Sequence, residues 1–177
     1  MNGRDERTEN TTLRDVADED FLRLDRQICF SLHAAARAFN GVYRSALRDL
    51  GLTYPQYLVM LVLWEHGELP VKQIGEHLRL DSGTLSPLLK RLEATGYVER
   101  RRGVADERSV TARPTAEGEA LRDRARGVPR RIAAATGLSL DRLRALRADL
   151  DELTATLDTA GSGAGGGDCA ADGPETD

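Results

Sequence analysis

A mainly α-helical fold with one small β-hairpin is predicted by three features of this 177-residue sequence. The first is a capped amphipathic helix. Asp81-Ser82 offers side-chain oxygens to free backbone N–H groups, and Leu85, Leu88, Leu89 and Leu92 then recur at the i, i+3, i+4, i+7 spacing of one buried face. The second is the cationic segment after Gly96, where two short runs, Val98–Arg102 and 108–112, flank a turn at 103–107. The third is residues 56–65, QYLVMLVLWE, whose apolar character on all sides assigns that helix to the centre of the core. Two short helices joined by a tight turn and followed by a hairpin make a winged helix-turn-helix, here with further N- and C-terminal helices for dimerisation.

The elements follow in order. Residues 1–19 are acidic and poor in large apolar side chains, so a disordered tail is expected there, with the folded domain over residues 20–158. Phe21, Leu24, Ile28, Leu32 and Ala35 mark one face of a first helix; Phe39, Val42, Ala46 and Leu50 extend it or form a second short one, ended by Gly51-Leu52. Thr53 or Tyr54 caps the next helix, with Pro55 in its first turn, where the missing N–H costs nothing. Val71–Leu78 reads as a short amphipathic helix with Ile74 and Leu78 inward, and Arg79-Leu80-Asp81 is the link to the capped helix. Thr115-Ala116-Glu117-Gly118 begins a helix that runs into the 130s with interruptions at Gly127 and Pro129. Ser139 caps a last helix bearing Leu140, Leu143, Leu146, Leu150, Leu153 and Leu157. Residues 159–177, rich in Gly, Ala and Asp, are expected to form a second disordered tail. The terminal helices carry more apolar surface than so small a winged core can cover. A homodimer built on the first and last helices answers this, and it would set two recognition helices about one DNA turn apart over a pseudo-palindromic site.

Charge agrees with such a partner once its distribution is read. The formal net charge is −4, but residues 1–20 hold seven acids against three arginines, and residues 158–177 hold five acids and no base. The middle of the chain is therefore at about +5, clustered on the hairpin, as a phosphate-binding surface requires. The N-terminus lacks the basic-then-apolar pattern of a secretion signal, and no apolar run approaches the ~20 residues of a membrane span, so a cytoplasmic protein with no membrane partner is expected. Cys29 and Cys169 make no disulfide framework, and reduced thiols are expected.

Ser82, Thr84, Ser86, Lys90 and Arg91 can present hydrogen-bond donors to bases and phosphates of double-stranded DNA from the exposed face of the capped helix. Pro87 falls in that helix's second turn and should tighten its start. Neighbouring strand residues point to opposite faces, so Arg100, Arg101 and Arg102 cannot all face DNA. Arg108 is the better candidate for the minor groove, whose negative potential attracts arginine, with Asp106 shaping the turn or holding Arg108. Cys29 lies in an apolar helical stretch, ICFSL, where a free cysteine is most often a small buried hydrophobe. As a sensor it needs a thiolate, and Arg26 and His33 are local cation candidates. Cys29 and His33 are spaced like two metal ligands, but further ligands are missing, so no metal or other cofactor is expected.

With these residues in view, the sequence resembles the multiple-antibiotic-resistance regulator (MarR) family. The stretches LTYPQYLVMLVLWE, LDSGTLSPLLKRLEATGYVERRR, DERSV and LDRQICFSLHAAARAFNGVYR resemble its organic hydroperoxide resistance regulators (OhrR) in particular, and the likeness covers about residues 22–157. The wing motif Asp106-x-Arg108 is typical of the wider family. The resemblance implies a dimeric repressor that releases DNA when an organic hydroperoxide oxidises an N-terminal cysteine, here Cys29, paired with two tyrosines of the partner subunit, which correspond to Tyr43 and Tyr54. Some members carry a second reactive cysteine after the wing. Residues 129–137, PRRIAAATG, contain none, so the chain looks like the one-cysteine type, whose sulfenic acid a small thiol traps; Cys169 is the other thiol available. Two alternatives stay open at this level: a MarR-type repressor that responds to a small phenolic ligand with Cys29 structural, and a thiol peroxidase. An enzyme is the less favoured class, because a single cysteine in the ordered region has no arginine or threonine arranged around it as a peroxidatic loop.

Overall fold

The computed structural model describes residues 22–102 and 110–163, and these divide into two compact units that meet between Val128 and Pro129. In the first unit, a 3₁₀ turn at Leu24–Arg26 leads to α1, Ile28–Ala46, and a second 3₁₀ turn, Arg48–Leu50, precedes α2, Tyr54–His66. The strand β1, Leu69–Pro70, runs straight into α3, Val71–Leu78, and after a three-residue link α4 spans Ser82–Ala94. The hairpin strands are β2, Val98–Arg102, and β3, Val110–Pro114, followed by α5, Ala116–Ala125. The second unit contains most of α6, Val128–Thr136, and all of α7, Leu140–Gly163.

α2 is the core helix that its composition demands: Val59, Met60 and Leu63 are fully buried, with Tyr57, Val62 and Trp64 nearly so. Its start is fixed by Gln56, whose Oε1 accepts from the Thr53 backbone N–H (2.8 Å) and hydroxyl (3.0 Å), so Thr53 is the cap and Tyr54 the first helical residue. Ile74 of α3, Leu85, Leu89 and Leu92 of α4 and Leu121 of α5 complete the core. Leu88 and Leu78 are only partly covered. The link between α3 and α4 is tight. The Leu80 N–H donates to the Gly75 carbonyl at 2.9 Å, and a Cβ on Gly75 would lie 2.8 Å from the Leu80 carbonyl oxygen. Arg79 turns the corner at φ +53°, a left-handed conformation that costs a non-glycine residue about 1–2 kcal/mol.

Three details differ from the sequence expectation. The first helix does not reach back to Leu24: Gln27 is extended, so Leu24 lies in a separate 3₁₀ turn, and Phe21 is outside the described residues. The second hairpin strand runs to Pro114, two residues past Ala112, because Val98, buried like Ala112, pairs with Pro114, and proline is tolerated at a strand end, where it owes the ladder no N–H. β1 was unexpected. Its two residues pair Leu69 with Ala112 and Pro70 with Thr111, making an antiparallel sheet of order β1-β3-β2.

α5 is capped by Thr115, whose Oγ1 accepts from the Gly118 N–H at 3.1 Å. Gly127 breaks the α5–α6 run at the expected place, whereas Pro129 falls within the first turn of α6. Ser139 caps α7, accepting from the Arg142 N–H at 3.3 Å, and α7 continues through Gly163 into the glycine-rich stretch. Residues 1–21 and 164–177, with Cys169, and the hairpin turn with Asp106 and Arg108 lie outside the described residues. None of the described helices is long and apolar enough to cross a membrane.

Candidate nucleic-acid interface and thiol site

The exposed face of α4 begins at its cap. The Asp81 carboxylate accepts from the Thr84 N–H (2.9 Å) and the Thr84 hydroxyl (2.8 Å), which together hold it below the usual carboxylate range. Thr84 was a candidate base or phosphate donor. Its hydroxyl hydrogen is instead spent on the cap, which leaves only oxygen lone pairs to offer. Ser82, Ser86, Lys90 and Arg91 are exposed and have no side-chain partner among the described residues. Lys90 and Arg91 point away from Leu85, Leu89 and Leu92, Ser86 lies at the flank of that buried face, and Ser82 is exposed because it opens the helix. Pro87 has no N–H to give the Gly83 carbonyl one turn earlier, which leaves that carbonyl open at the same face.

The arginine run behaves as alternation requires. Arg100 pairs with Ala112 and shares its face, towards the helices; Arg101 pairs with Thr111 on the other. Arg101 and Arg113 converge on Glu99, Arg101 at 3.4 Å, and hold that carboxyl below its ordinary range, the Arg113 hydrogen bond being the main cause. Arg100 instead reaches Glu93 of α4, donating from Nε (3.0 Å) and Nη2 (2.5 Å) to Oε2.

Cys29 stands in the first turn of α1, exposed, with Sγ 3.9 Å from Gln27 Oε1. Tyr43 and Tyr54 come together at the junction of α1 and α2, with ring centroids 4.3 Å apart, and Tyr57 joins them 6.1 Å from Tyr43. Burial, and then the neighbouring Tyr54 and Tyr57, push the Tyr43 phenol above its ordinary pKa, so it remains a neutral hydrogen-bond donor at pH 7. The structure thus assembles the tyrosine pair but not the cysteine. Fourteen residues of continuous helix separate Cys29 from Tyr43, roughly 21 Å along the axis. Apolar side chains of α1 are uncovered: Ile28 is 66% exposed, and Leu32, Phe39 and Val42 on the same side, and Phe30 on the other, are also exposed. In α7, Leu140, Leu146, Leu150 and Leu157 are likewise exposed. His33 has no charged partner, and no group of three or more potential metal ligands occurs among the described residues. Sequence reasoning set Arg100 aside with its neighbours and did not single out Glu93; the pairing register of the hairpin is what separates Arg100 from Arg101.

A capped recognition-type helix behind a three-stranded wing, on a core centred on α2, defines a winged-helix transcriptional regulator. The chain belongs to the MarR family: the family model matches residues 52–110. It is 50% identical over 147 residues to the HTH-type transcriptional regulator TtmR of Methylorubrum extorquens, covering 83% of this chain and 74% of that one. It is 44% identical over 138 residues to the organic hydroperoxide resistance transcriptional regulator of Bacillus subtilis, covering 78% and 94%. Among solved structures, reduced AbfR bound to DNA superposes with a TM-score of 0.66 at 35% identity, over 78% of this chain and 96% of that one. Regulator PcaV of Streptomyces coelicolor, at 23% identity and a TM-score of 0.68 over 76% and 96%, shares the fold. These likenesses make the chain a MarR-type transcriptional regulator rather than an enzyme.

Proposed function

We propose that this regulator is a homodimeric repressor that leaves its operator when an organic hydroperoxide oxidises Cys29. The observation that carries the reading is the placement of Cys29 and Tyr43 on one stripe of α1. Cys29, Leu32, Ala36, Phe39 and Tyr43 follow each other at three- and four-residue intervals, the spacing of a helix–helix seam. Two copies of α1 crossing antiparallel about Ala36 would set each Cys29 against the partner's tyrosine pair, which its own chain holds about 21 Å away. The same crossing covers Leu32 and Phe39, which a single chain leaves in water.

The chemistry fits that arrangement. Neutral phenols donate hydrogen bonds to a thiolate and favour its charged form. The thiolate attacks one peroxide oxygen, the O–O bond breaks, sulfur keeps that oxygen as a sulfenic acid, and the alkoxide leaves as alcohol after taking a proton. A small thiol then condenses with the sulfenic acid, forming an S–S bond and releasing water. Oxidised sulfur no longer accepts the phenol hydrogen bonds as a thiolate does, and a mixed disulfide does not fit the seam. The helices repack, and the two recognition helices lose the spacing that a pseudo-palindromic site demands. The likeness to the Bacillus hydroperoxide regulator supports this reading, as do the reduced, disulfide and overoxidised forms in which AbfR has been solved.

The test is a gel shift on the DNA upstream of the gene, with and without cumene hydroperoxide, for wild type and Cys29→Ser. Wild type should bind and release on oxidation, while Cys29→Ser should bind and stay bound. A wild-type complex indifferent to the peroxide, or a Cys29→Ser protein that still releases, overturns the sensor role. Binding should also fall steeply with salt, because phosphate contacts release counterions.

A further inference from the structure

We propose that Arg100 is a further DNA-contacting cation of each subunit, directed at a backbone phosphate beside α4, and that Glu93 is its positioning residue. The inference rests on the DNA-binding reading above and adds a contact at the base of the wing.

Three observations converge on Arg100. The hairpin register puts it on the face of β2 that turns towards the helices, the face of Val98 and Ala112, whereas Arg101 leaves from the opposite face. It emerges beside α4, where with Ser82, Gly83, Ser86, Pro87 and Lys90 it lines one open surface depression of about 640 Å³. Finally, its guanidinium is held from behind. Glu93 Oε2 accepts from Nε at 3.0 Å and from Nη2 at 2.5 Å, so one edge of the planar fork is engaged. A guanidinium has five N–H groups. Two are spent on Glu93, and the remaining three belong to Nη1 and the outer side of Nη2, the edge suited to a bidentate phosphate contact.

A structural ion pair alone would need none of this placement. Lys90 has no partner among the described residues and lines the same depression, and Ser82 and Ser86 add two hydroxyl donors, so one phosphate oxygen pair entering it would meet two cations and two neutral donors. Arg101 and Arg113, by contrast, share Glu99 on the far face. The Arg100 hydrogen bonds hold the Glu93 carboxyl below the usual carboxylate range, so the pair is ionised at neutral pH.

The experiment is fluorescence anisotropy on two labelled duplexes, the chain's own upstream DNA and an unrelated sequence of equal length, at several salt concentrations. It compares wild type, Arg100→Ala, Arg100→Lys, Arg101→Ala, Glu93→Gln and Glu93→Gln/Arg100→Ala, each checked for folding by circular dichroism. Arg100→Ala should weaken binding to both duplexes, by about tenfold on its own site, and reduce the slope of log affinity against log salt by about 2 for a dimer that loses two phosphate contacts. Arg100→Lys should keep most of the slope while losing affinity, because the charge stays and the fork is gone. Arg101→Ala should stay within about twofold of wild type. Glu93→Gln should change affinity in the wild-type background and leave it unchanged once Arg100 is alanine, the non-additivity that a positioning role requires. Wild type that binds neither duplex refutes the DNA-binding reading itself. Wild type that binds, with an Arg100→Ala slope equal to its own, refutes the Arg100 contact and leaves that reading standing. Additive effects of Glu93→Gln and Arg100→Ala refute the positioning role.

Discussion

Replacing Gly118 by alanine tests the joint between the core and the wing. Gly118 lies in the first turn of α5, and its carbonyl accepts the Trp64 indole N–H at 2.8 Å. A Cβ there would sit 2.1 Å from the Tyr97 carbonyl oxygen, 3.1 Å from its carbon and 3.4 Å from Met60 Cε. Real Cβ atoms essentially never approach closer than 3.0 Å, so the backbone oxygen must retreat by about 0.9 Å. It is not free to do so, since Tyr97 O accepts the Thr115 N–H at 3.1 Å, and Thr115 Oγ1 donates to Gly96 O at 2.6 Å. Overpacking of this kind costs about 1–3 kcal/mol, and a weakened Thr115–Tyr97 hydrogen bond adds about 1 kcal/mol. Better helix propensity returns at most about 1 kcal/mol. The net loss is about 1–3 kcal/mol, or a fall in Tm of about 2–12 °C for a chain of this size. Circular dichroism melts at one fixed protein concentration measure it, because association with a second copy makes Tm concentration-dependent. Gly127→Ala is the control: nothing lies within 4 Å of its Cβ position and its φ is not left-handed, so its Tm should not fall. A Gly118→Ala protein melting within about 2 °C of wild type would show that the close approach of α5 to Tyr97 is not what fixes the wing.

Two further predictions concern the recognition helix and the seam. Asp81→Asn should retain most of the α4 cap, lacking only what the charge adds, and Asp81→Ala should lose it, so the alanine variant should melt earliest at pH 7. Because the cap holds the Asp81 carboxyl below its ordinary range, its contribution is complete above that range and disappears as pH falls through the lowered folded value. The Tm difference between wild type and Asp81→Ala should therefore shrink towards about pH 3, and a difference that grew instead would contradict the sign. Ala36 is exposed in the single chain, so Ala36→Glu should leave the helix content unchanged. At the centre of an antiparallel α1 seam it would bring two carboxylates together, and sedimentation should show monomer; a persistent dimer would place the interface elsewhere.

Legibility in the sequence followed how local each cause was. The unbroken apolar run from Tyr57 to Trp64 could only be a core helix, and Asp81 before two small residues could only start one, since both signals act within a turn. Thr84 reads from the sequence as a groove donor because its side chain has two suitable fates, and only the 2.8 Å contact with Asp81 marks its hydroxyl as a capping one. Leu69–Pro70 is too short to carry a period, and it becomes a strand only because β3 lies beside it. The difference between Arg100 and Arg101 depended on register, which is set across the hairpin. The thiol site is the extreme case. No reading of one chain brings Cys29 to Tyr43, because the rigid helix that presents both also keeps them apart.

α2 touches the tyrosine pair at one end and the root of the wing at the other. Tyr54 is its first residue and packs on Tyr43, while Trp64, two residues from its end, holds the Gly118 carbonyl, against which Tyr97 and the start of β2 are fitted. A disturbance of the tyrosine pair is therefore applied to one end of a helix whose middle is packed in the core and whose other end carries the root of the wing. A close-packed helix cannot absorb such a push by bending around a void; it must shift as a body or hold. If Cys29 acts through the tyrosine pair as proposed, α2 would link that pair to the root of the wing as one element anchored at both ends. Coupling of that kind is demonstrated only by energetics. In a double-mutant cycle on DNA affinity, Tyr54→Phe and Trp64→Phe should interact even though ten residues of α2 separate them.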